Sequence, residues 1–168
     1  VGRWIDDPGF DPEQMPLFLE RAKTEAEAIA QAAGFFSASA TVSYEPGTAD
    51  RLPIVHIDVD AGARTTVNRF DFVLEGPPPV QKLRDRLIER WPLPEGTFFR
   101  SAPWQSGKRL LIDALQQRGY VRARIVDSEA RVDPRNTTAA LTVRIDSGPQ
   151  LGFGAMTIEG LSRYDASI

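Results

Sequence analysis

The sequence of 168 residues contains no cysteine. This absence excludes disulfide bridges and thiolate metal sites as sources of stability or chemistry. Histidine is nearly absent too, since His56 is the only one in the chain. A catalytic or metal centre that needs several imidazole groups is therefore excluded as well.

The chain also lacks long hydrophobic runs and an excess of positive charge. No apolar stretch approaches the ~18 residues of a membrane-spanning helix, and no segment resembles a signal peptide. The formal net charge is −3, which argues against a nucleic-acid-binding surface. With 42% hydrophobic and 26% charged residues, the composition is that of an ordinary globular protein.

What the sequence does contain is a repeat of about 85 residues. In each copy a helix-like run ends at a glycine followed by an aromatic residue. Two strand-like runs follow and end at a second glycine, and a third strand-like run then ends at another glycine. The equivalent positions are Gly34-Phe35 and Gly119-Tyr120, Gly62 and Gly148, and Gly76 and Gly160. A fixed internal period indicates one structural unit used in series.

Each unit is predicted to be α+β, with the order strand, helix, helix, strand, strand. Alternating apolar residues predict a sheet with one buried and one wet face, here a three-stranded mixed sheet covered on one face by two helices. The central copy is predicted to have a helix from Val80 to Trp91, a helix capped by Ser101, and strands at 121–132 and 138–146. Its predicted core includes Leu111, Leu115, Leu141, Val143 and Ile145, and each of the tryptophans at 4, 91 and 104 is predicted to pack in the core of its own unit.

The first copy is predicted to lack its opening strand and helix, and the second copy is predicted to be complete. A third copy is predicted to begin at Leu151 and to be truncated. In the first unit, an apolar stripe that includes Phe18 and Ile29 predicts a helix, and Phe36 to Tyr44 and Val55 to Val59 predict strands.

No group of residues indicates catalysis or a bound ion. His56 alternates with Asp58 and Asp60 on the polar face of a predicted strand, and Ca²⁺ requires about 6–8 oxygen ligands. The segment Gly152-Phe153-Gly154 lacks the lysine and the strand-to-helix context of a phosphate-binding loop. We therefore expect a protein that is not an enzyme and that holds no metal or cofactor.

The pattern resembles the POTRA (polypeptide-transport-associated) repeat, which precedes outer-membrane barrels. The resemblance rests on the helices that end at Gly34 and Gly119, on the glycines after the last strands, and on the segments ending at Gly76 and Gly160. Among the families with this repeat, the chain is most similar to the periplasmic part of the TamA family, which is related to BamA. The segments that carry this similarity are 108–111, 119–120, 145–148, 151–153 and 158–160. The resemblance implies a first unit at residues 1–66, a complete second unit at 67–150 and the start of a third at 151–168.

This resemblance implies a periplasmic location as part of an outer-membrane protein, with membrane contact only through a C-terminal barrel that this sequence does not contain. The implied partners are unfolded outer-membrane or autotransporter proteins and a TamB-like inner-membrane-anchored protein, and no nucleic acid. A BamA-like protein, a two-partner secretion transporter and a cell-division protein remain open as alternatives. A soluble α+β enzyme is the alternative from another class.

In the POTRA topology, the strand after the second helix lies at the edge of the sheet. An extended partner could add a strand there by β-augmentation. The candidate partner-binding residues are Val121, Arg122, Ala123, Arg124, Ile125 and Val126. The competing interpretation is that the charges along 122–131 protect this edge from aggregation.

The corresponding edge of the first unit carries no charge before Glu45 and is expected to be less protected. Seven positions are assigned structural roles in turns and caps: Gly34, Gly62, Gly76, Gly119, Tyr120, Gly148 and Gly160.

Overall fold

The computed structural model describes residues 14–48, 51, 53–152 and 154. We call helix α1 (Met15–Ala32) and strands β1 (Ser39–Glu45) and β2 (Ile54–Asp60) the N-terminal unit. The central unit contains β3 (Thr66–Glu75), α2 (Pro78–Gln81), α3 (Arg84–Ile88), α4 (Ser101–Gln116), β4 (Arg124–Asp133) and β5 (Thr138–Asp146). Trp4, Gly160 and most of the predicted third unit lie outside the described residues. None of the described helices has the length and hydrophobicity needed to cross a membrane.

The two units contain one sheet each. In the central unit the strand order is β3-β5-β4, with β3 parallel to β5 and β4 antiparallel to it. In the N-terminal unit β1 and β2 form an antiparallel pair. The central unit therefore has the predicted α+β fold, a three-stranded mixed sheet with its helices between the first and second strands.

The core lies between the central sheet and its helices. The five predicted core residues are at most 3% exposed: Leu111, Leu115, Leu141, Val143 and Ile145. Trp91 and Trp104 meet edge to face, with ring centroids 5.7 Å apart, and Phe70 stacks on Trp91 at 4.4 Å. Both tryptophans are buried, as predicted.

A β-bulge in each outer strand of the central sheet decides which side chains face the helices. The register of β3 shifts between Val67 and Arg69, and that of β4 shifts between Ile125 and Asp127. One extra residue reverses the alternation of a strand. As a result Val67 and Phe70 both contribute to the core although they are three residues apart.

Two predicted helix boundaries are wrong. The helix predicted from Val80 to Trp91 is divided into α2 and α3, because the prolines at its start provide no N–H groups and Leu83 donates to Val80 in a tight turn (2.9 Å). Ser101 is not the cap of α4, because it is already the first helical residue. Arg100 holds the cap position in extended conformation without a side-chain hydrogen bond.

Both predicted strands after a glycine begin too early. The chain makes a further turn first, in which Ala38 donates to the carbonyl of Phe35 (3.3 Å) and Ala123 to that of Tyr120 (2.9 Å). Strand β1 therefore begins at Ser39 and β4 at Arg124. Residues 121–123 of the predicted edge strand lie in the turn.

The predicted buried face of the N-terminal unit is half exposed. Ile57 is 38% and Val59 42% exposed, and no residue of α1 is fully buried, Ile29 being 65% exposed. Among the described residues, β2 pairs only with β1. One side of β2 therefore has no strand to cover it in this part of the chain.

Gly107 of α4 marks a close approach of two segments. A Cβ atom there would lie 2.7 Å from the ring of Trp91 and 2.9 Å from Pro92. Only a residue without a side chain allows this segment to pack directly on the backbone of α4.

Candidate partner-binding edge of the central sheet

The two outer strands of the central sheet present very different edges. Along the first half of β3, the segment that leads into α4 covers the backbone. Val67 donates to the carbonyl of Thr97 and accepts from the N–H of Gly96, both at 2.8 Å. The N–H of Phe70 donates to Oε1 of Glu95 at 3.2 Å.

Side chains of the first helical turns cover the second half of β3. Nη2 of Arg84 donates to the carbonyl of Phe72 (3.3 Å), and Nε2 of Gln81 donates to that of Leu74 (2.6 Å). These bonds occupy outward backbone groups along the length of β3, so this edge offers another strand fewer free donors and acceptors than an uncovered edge would.

Strand β4 has no such cover. Within the described residues, no group outside the sheet hydrogen bonds to the backbone of Arg124–Asp133. Only side-chain contacts reach the strand, such as that from Nζ of Lys108 to Oγ of Ser128 (3.4 Å). The unpaired N–H and C=O groups of β4 form the open edge of the sheet.

A contact in the N-terminal unit shows which amides of β4 point outward. The N–H of Ala40 in β1 donates to Oε1 of Glu27 on α1 (3.1 Å), so it points away from β2. Ala40 lies opposite Val59, and one repeat later Ile125 lies opposite Ile145. We infer that the amides in this register of β4 point outward: Ile125 and, beyond the bulge, Ser128, Ala130 and Val132.

The same contact shows that the edge strands of the two units, β1 and β4, differ in how their outward amides are bonded. One repeat after Glu27, α4 carries Ile112, which has no oxygen to accept a hydrogen bond from β4. The expectation that β1 is the less protected edge is therefore wrong at Ala40. The sequence could not show this contact, because it joins residues on two different elements.

A groove of about 520 Å³ runs between α4 and the start of β4. It is lined by Gln105, Lys108, Arg109, Ile112, Asp113 and Ile125. The two isoleucines contribute apolar surface to the groove, and Lys108, Arg109 and Asp113 contribute charges. The ammonium of Lys108 is fixed over the ring of Trp104, 4.7 Å from its centroid, which is a cation–π contact.

The candidate residues chosen from the sequence fall into three groups. Val121 and Arg122 are exposed in the turn before the strand, and Ala123 is buried. Arg124, Ile125 and Val126 begin β4, but the register breaks after Ile125. The regular part of the edge is residues 127–133, which sequence alternation alone did not single out.

Charged residues of β4 form ion pairs on exposed side chains. Arg131 lies 3.1 Å from Glu129 and Arg124 lies 3.1 Å from Asp146. Exposed pairs of this kind stabilise a fold by about 0–1 kcal/mol. These charges are directed to solvent, so they leave the outward amides of the strand accessible.

Two carboxylates at the ends of the β4–β5 hairpin have perturbed acidities. The side-chain amide of Asn136, together with its backbone N–H, lowers the pKa of Asp133. The backbone N–H of Gly148 and, after it, Arg124 lower the pKa of Asp146. In each case hydrogen bonds favour the charged carboxylate, which fixes the turn rather than preparing an acid or base.

The polar residues of β2 form no site of their own. The side chain of His56 is 54% exposed and lies 3.4 Å from Glu45, and Asp58 and Asp60 are exposed. In the described ranges no cluster of His, Asp or Glu could hold a metal ion. His56 therefore faces solvent, as its place in the strand predicts.

No protein-family model matches the chain. No curated protein matches it either. Solved structures with a similar chain path are POTRA domains of BamA and Omp85 proteins. POTRA domains 3–5 of Haemophilus influenzae BamA match at 20% identity and a TM-score of 0.48, over 78% of this chain and 50% of that one.

Two further solved structures have similar identities and TM-scores but differ in how much of their own length is matched. BamA from Haemophilus ducreyi lacking POTRA domains 1–3 matches at 17% identity and a TM-score of 0.45, over 82% of this chain and 23% of that one. POTRA domains 1–2 of Omp85 from Anabaena match at 19% identity and a TM-score of 0.42, over 80% and 85%. The chain thus spans half or less of either BamA structure. These likenesses concern the chain fold, and the strand order of the central unit establishes its architecture independently.

Proposed function

We propose that this chain is a non-enzymatic, periplasmic protein-binding scaffold of an outer-membrane protein assembly factor. The observation that carries the proposal is the inequality of the two sheet edges. Strand β3 has outward backbone groups bonded to Thr97, Glu95 and the first helical turns, whereas β4 keeps an open edge. Within the central sheet, an extended chain therefore has more free donors and acceptors to pair with at β4 than at β3.

The proposed ligand is an extended segment of an unfolded outer-membrane or autotransporter protein. It pairs with the outward backbone groups of β4 at Ser128, Ala130 and Val132. Main-chain pairing depends little on sequence, which suits a receptor for many different unfolded chains. Barrel strands also alternate between apolar and polar residues, so every second side chain of a bound strand could enter the apolar groove beside Ile112.

A proline scan of the open edge tests this mode. Proline removes a backbone donor and is tolerated in an edge strand where the N–H faces outward. Ala130→Pro should keep the fold but bind a synthetic barrel-strand peptide roughly tenfold more weakly, because pairing is lost on both sides of the missing donor. Ala130→Ser retains the N–H and serves as the matched control.

The position of the bulge adds a second comparison. Ile125→Pro lies beside the register break, where regular pairing already ends, so it should weaken peptide binding less than Ala130→Pro. Equal peptide affinities of folded wild type and Ala130→Pro would remove β4 from the mechanism. Hydrogen exchange provides an independent check, since a bound strand should slow exchange at Ser128, Ala130 and Val132 and leave β3 unchanged.

We further infer that the parent protein belongs to the TamA branch and contacts a TamB-like inner-membrane-anchored protein. Support comes from the sequence segments 108–111 and 145–148. The parent coding sequence tests this branch: a barrel after the repeats supports an assembly factor, and a single membrane helix supports a cell-division protein. Co-purification with a TamB-like protein would support the TamA branch, and its absence from the purified complex would contradict it.

A further inference from the structure

The connection between the two units is made at Thr65, which is 1% exposed. Its N–H donates to the carbonyl of Gly34 at the end of α1 (2.8 Å), and its carbonyl accepts from Phe99 before α4 (2.9 Å). One residue thus hydrogen bonds to both units. A Cβ atom at Gly34 would overlap the carbonyl oxygen of Phe99, so the two backbones are in direct contact.

The same backbone contact recurs after the central unit. Leu151 donates to the carbonyl of Gly119 (2.8 Å), in the place that Thr65 and Gly34 occupy one repeat earlier. The residue before the link also has the same role in both junctions. Nε of Arg64 donates to the carbonyl of Ala33 (3.2 Å), and Nε2 of Gln150 donates to that of Arg118 (2.9 Å).

The two junctions differ in the chemistry of that preceding side chain. The guanidinium of Arg64 lies over two rings, 5.5 Å from the centroid of Phe35 and 4.7 Å from that of Phe98. Phe35 follows α1, whereas Phe98 belongs to the central unit. Gln150 is neutral and cannot make a cation–π contact, although it makes the same hydrogen bond.

We propose that Arg64 is a latch that holds the N-terminal unit in one orientation on the central unit. Its hydrogen bond to Ala33 and its contact with Phe35 attach it to the N-terminal unit, and Phe98 attaches it to the central one. The adjacent contact of the Phe36 and Phe99 rings, 5.5 Å apart, continues the same interface. The latch keeps β1 and β4 in a fixed relation, whereas the described part of the junction at Gly119 has the hydrogen bonds without a cation–π contact.

Pulsed electron spin resonance on the 168-residue chain tests the latch. Because the sequence contains no cysteine, spin labels can be attached at Glu25→Cys on α1 and Asp85→Cys on α3, both exposed. Arg64→Gln gives the first junction the side chain of the second. It should broaden the distance distribution, with roughly fivefold more of the population outside the wild-type peak, as expected from the loss of exposed cation–π contacts.

Arg69→Gln is the matched control. It makes the same change in charge at an exposed arginine that pairs with Asp71 (2.7 Å) and does not contact the N-terminal unit. It should leave the distribution unchanged. A distribution for Arg64→Gln as narrow as that of the wild type would overturn the latch.

Phe98→Ala keeps the proposal testable if Arg64→Gln disturbs folding. Phe98 is 52% exposed, so its removal should not unfold the central unit, but it takes away the ring that ties Arg64 to that unit. Phe98→Ala should therefore broaden the distribution, and the double variant should be no broader than Arg64→Gln alone. An unchanged distribution for folded Phe98→Ala would contradict the latch.

Discussion

In both units the helix before the hairpin ends with the same hydrogen bonds. Phe35 donates to the carbonyl of Ala30 (3.0 Å), and Tyr120 donates to that of Leu115 (3.1 Å). The glycines that follow these helices share positive φ angles, +101° at Gly34 and +88° at Gly119, which a residue with a side chain rarely adopts. Local sequence is enough to form these caps, because every group involved lies within a few residues.

The two units differ in how deeply the side chains of their last strands are buried. Ile57 and Val59 are 38% and 42% exposed, whereas Val143 and Ile145 in the same register are completely buried. Strand β3 and the helical segments after it cover β5, whereas among the described residues β2 has only β1 beside it and the partly exposed helix α1 against it. Identical turns with unequal cores show that the repeat sequence fixes local geometry, while the covering elements supply the stability.

The largest expected effect is a cavity in the central core. Leu141→Ala should lower the free energy of unfolding by about 2–5 kcal/mol, because Leu141 is 0% exposed and its removal adds a cavity to the lost transfer free energy. Ile57→Ala removes the same number of carbon atoms from β2 and should cost less than about 1 kcal/mol, since Ile57 is half exposed. Urea denaturation measures both variants.

Equal losses for Leu141→Ala and Ile57→Ala would show that β2 is covered in solution. A loss below about 0.5 kcal/mol for Leu141→Ala would show that the face assignment of β5 is wrong.

A second comparison concerns helix packing. Gly107→Ala should destabilise the protein by about 1–3 kcal/mol, because the new Cβ would press on Trp91 and Pro92, although alanine favours a helix by ~1 kcal/mol. The equivalent residue of α1 is Ala22, which faces no comparable helix contact among the described residues. Ala22→Gly should therefore cost only that ~1 kcal/mol of helix propensity.

Thermal unfolding followed by circular dichroism measures this pair. A gain in stability for Gly107→Ala would show that α4 and the segment around Trp91 can move apart.

Periodicity predicted the core of the central unit correctly, because Leu111, Leu115 and Leu141 lie on faces that helix and strand geometry fix locally. It also predicted the α+β fold and the strand alternation of β5. It placed the starts of β1 and β4 three residues too early, because the extra turn after each glycine has no alternation of its own. The spacing of Val67 and Phe70 was the one visible sign of a bulge.

The edges of the sheet could not be predicted in this way. The seal on β3 depends on Glu95 and Arg84, which lie 25 and 12 residues from the groups they bind. The cap on Ala40 comes from Glu27, 13 residues away. Such contacts depend on how separate elements pack, and no local pattern records them.

A smaller effect is expected in the hairpin that joins β4 and β5. Thr137 has a φ of +51°, which is unfavourable for a β-branched residue. Thr137→Gly should stabilise the central unit by about 0.5–1 kcal/mol, since the relief of strain exceeds the entropic cost of glycine. Arg135→Gly in the same turn relieves no strain and should destabilise, and chemical denaturation of both variants decides whether the strain is real.

The smallest expected effect concerns the stability of the central unit at low pH. Arg124 lies opposite Asp146, whereas Ser39 lies opposite Asp60 in the N-terminal unit. The N–H of Gly148 and then Arg124 lower the pKa of Asp146. A lowered pKa in the folded state means that the stabilisation is complete above the ordinary aspartate pKa of about 3.9 and is lost as the pH falls through the lower value.

Arg124→Ser gives the central unit the pairing of the N-terminal one. It should raise the pKa of Asp146 part of the way toward its ordinary value, because the hydrogen bond from Gly148 (3.0 Å) remains. The loss of stability on acidification should then begin at higher pH and be smaller in total, as measured by carboxyl-carbon NMR titration and by urea denaturation below pH ~5. Arg131→Ser, which removes an arginine paired with Glu129 instead, should leave the titration of Asp146 unchanged. If Arg124→Ser also leaves it unchanged, the ion pair is absent in solution and the two units hold this carboxylate in the same way.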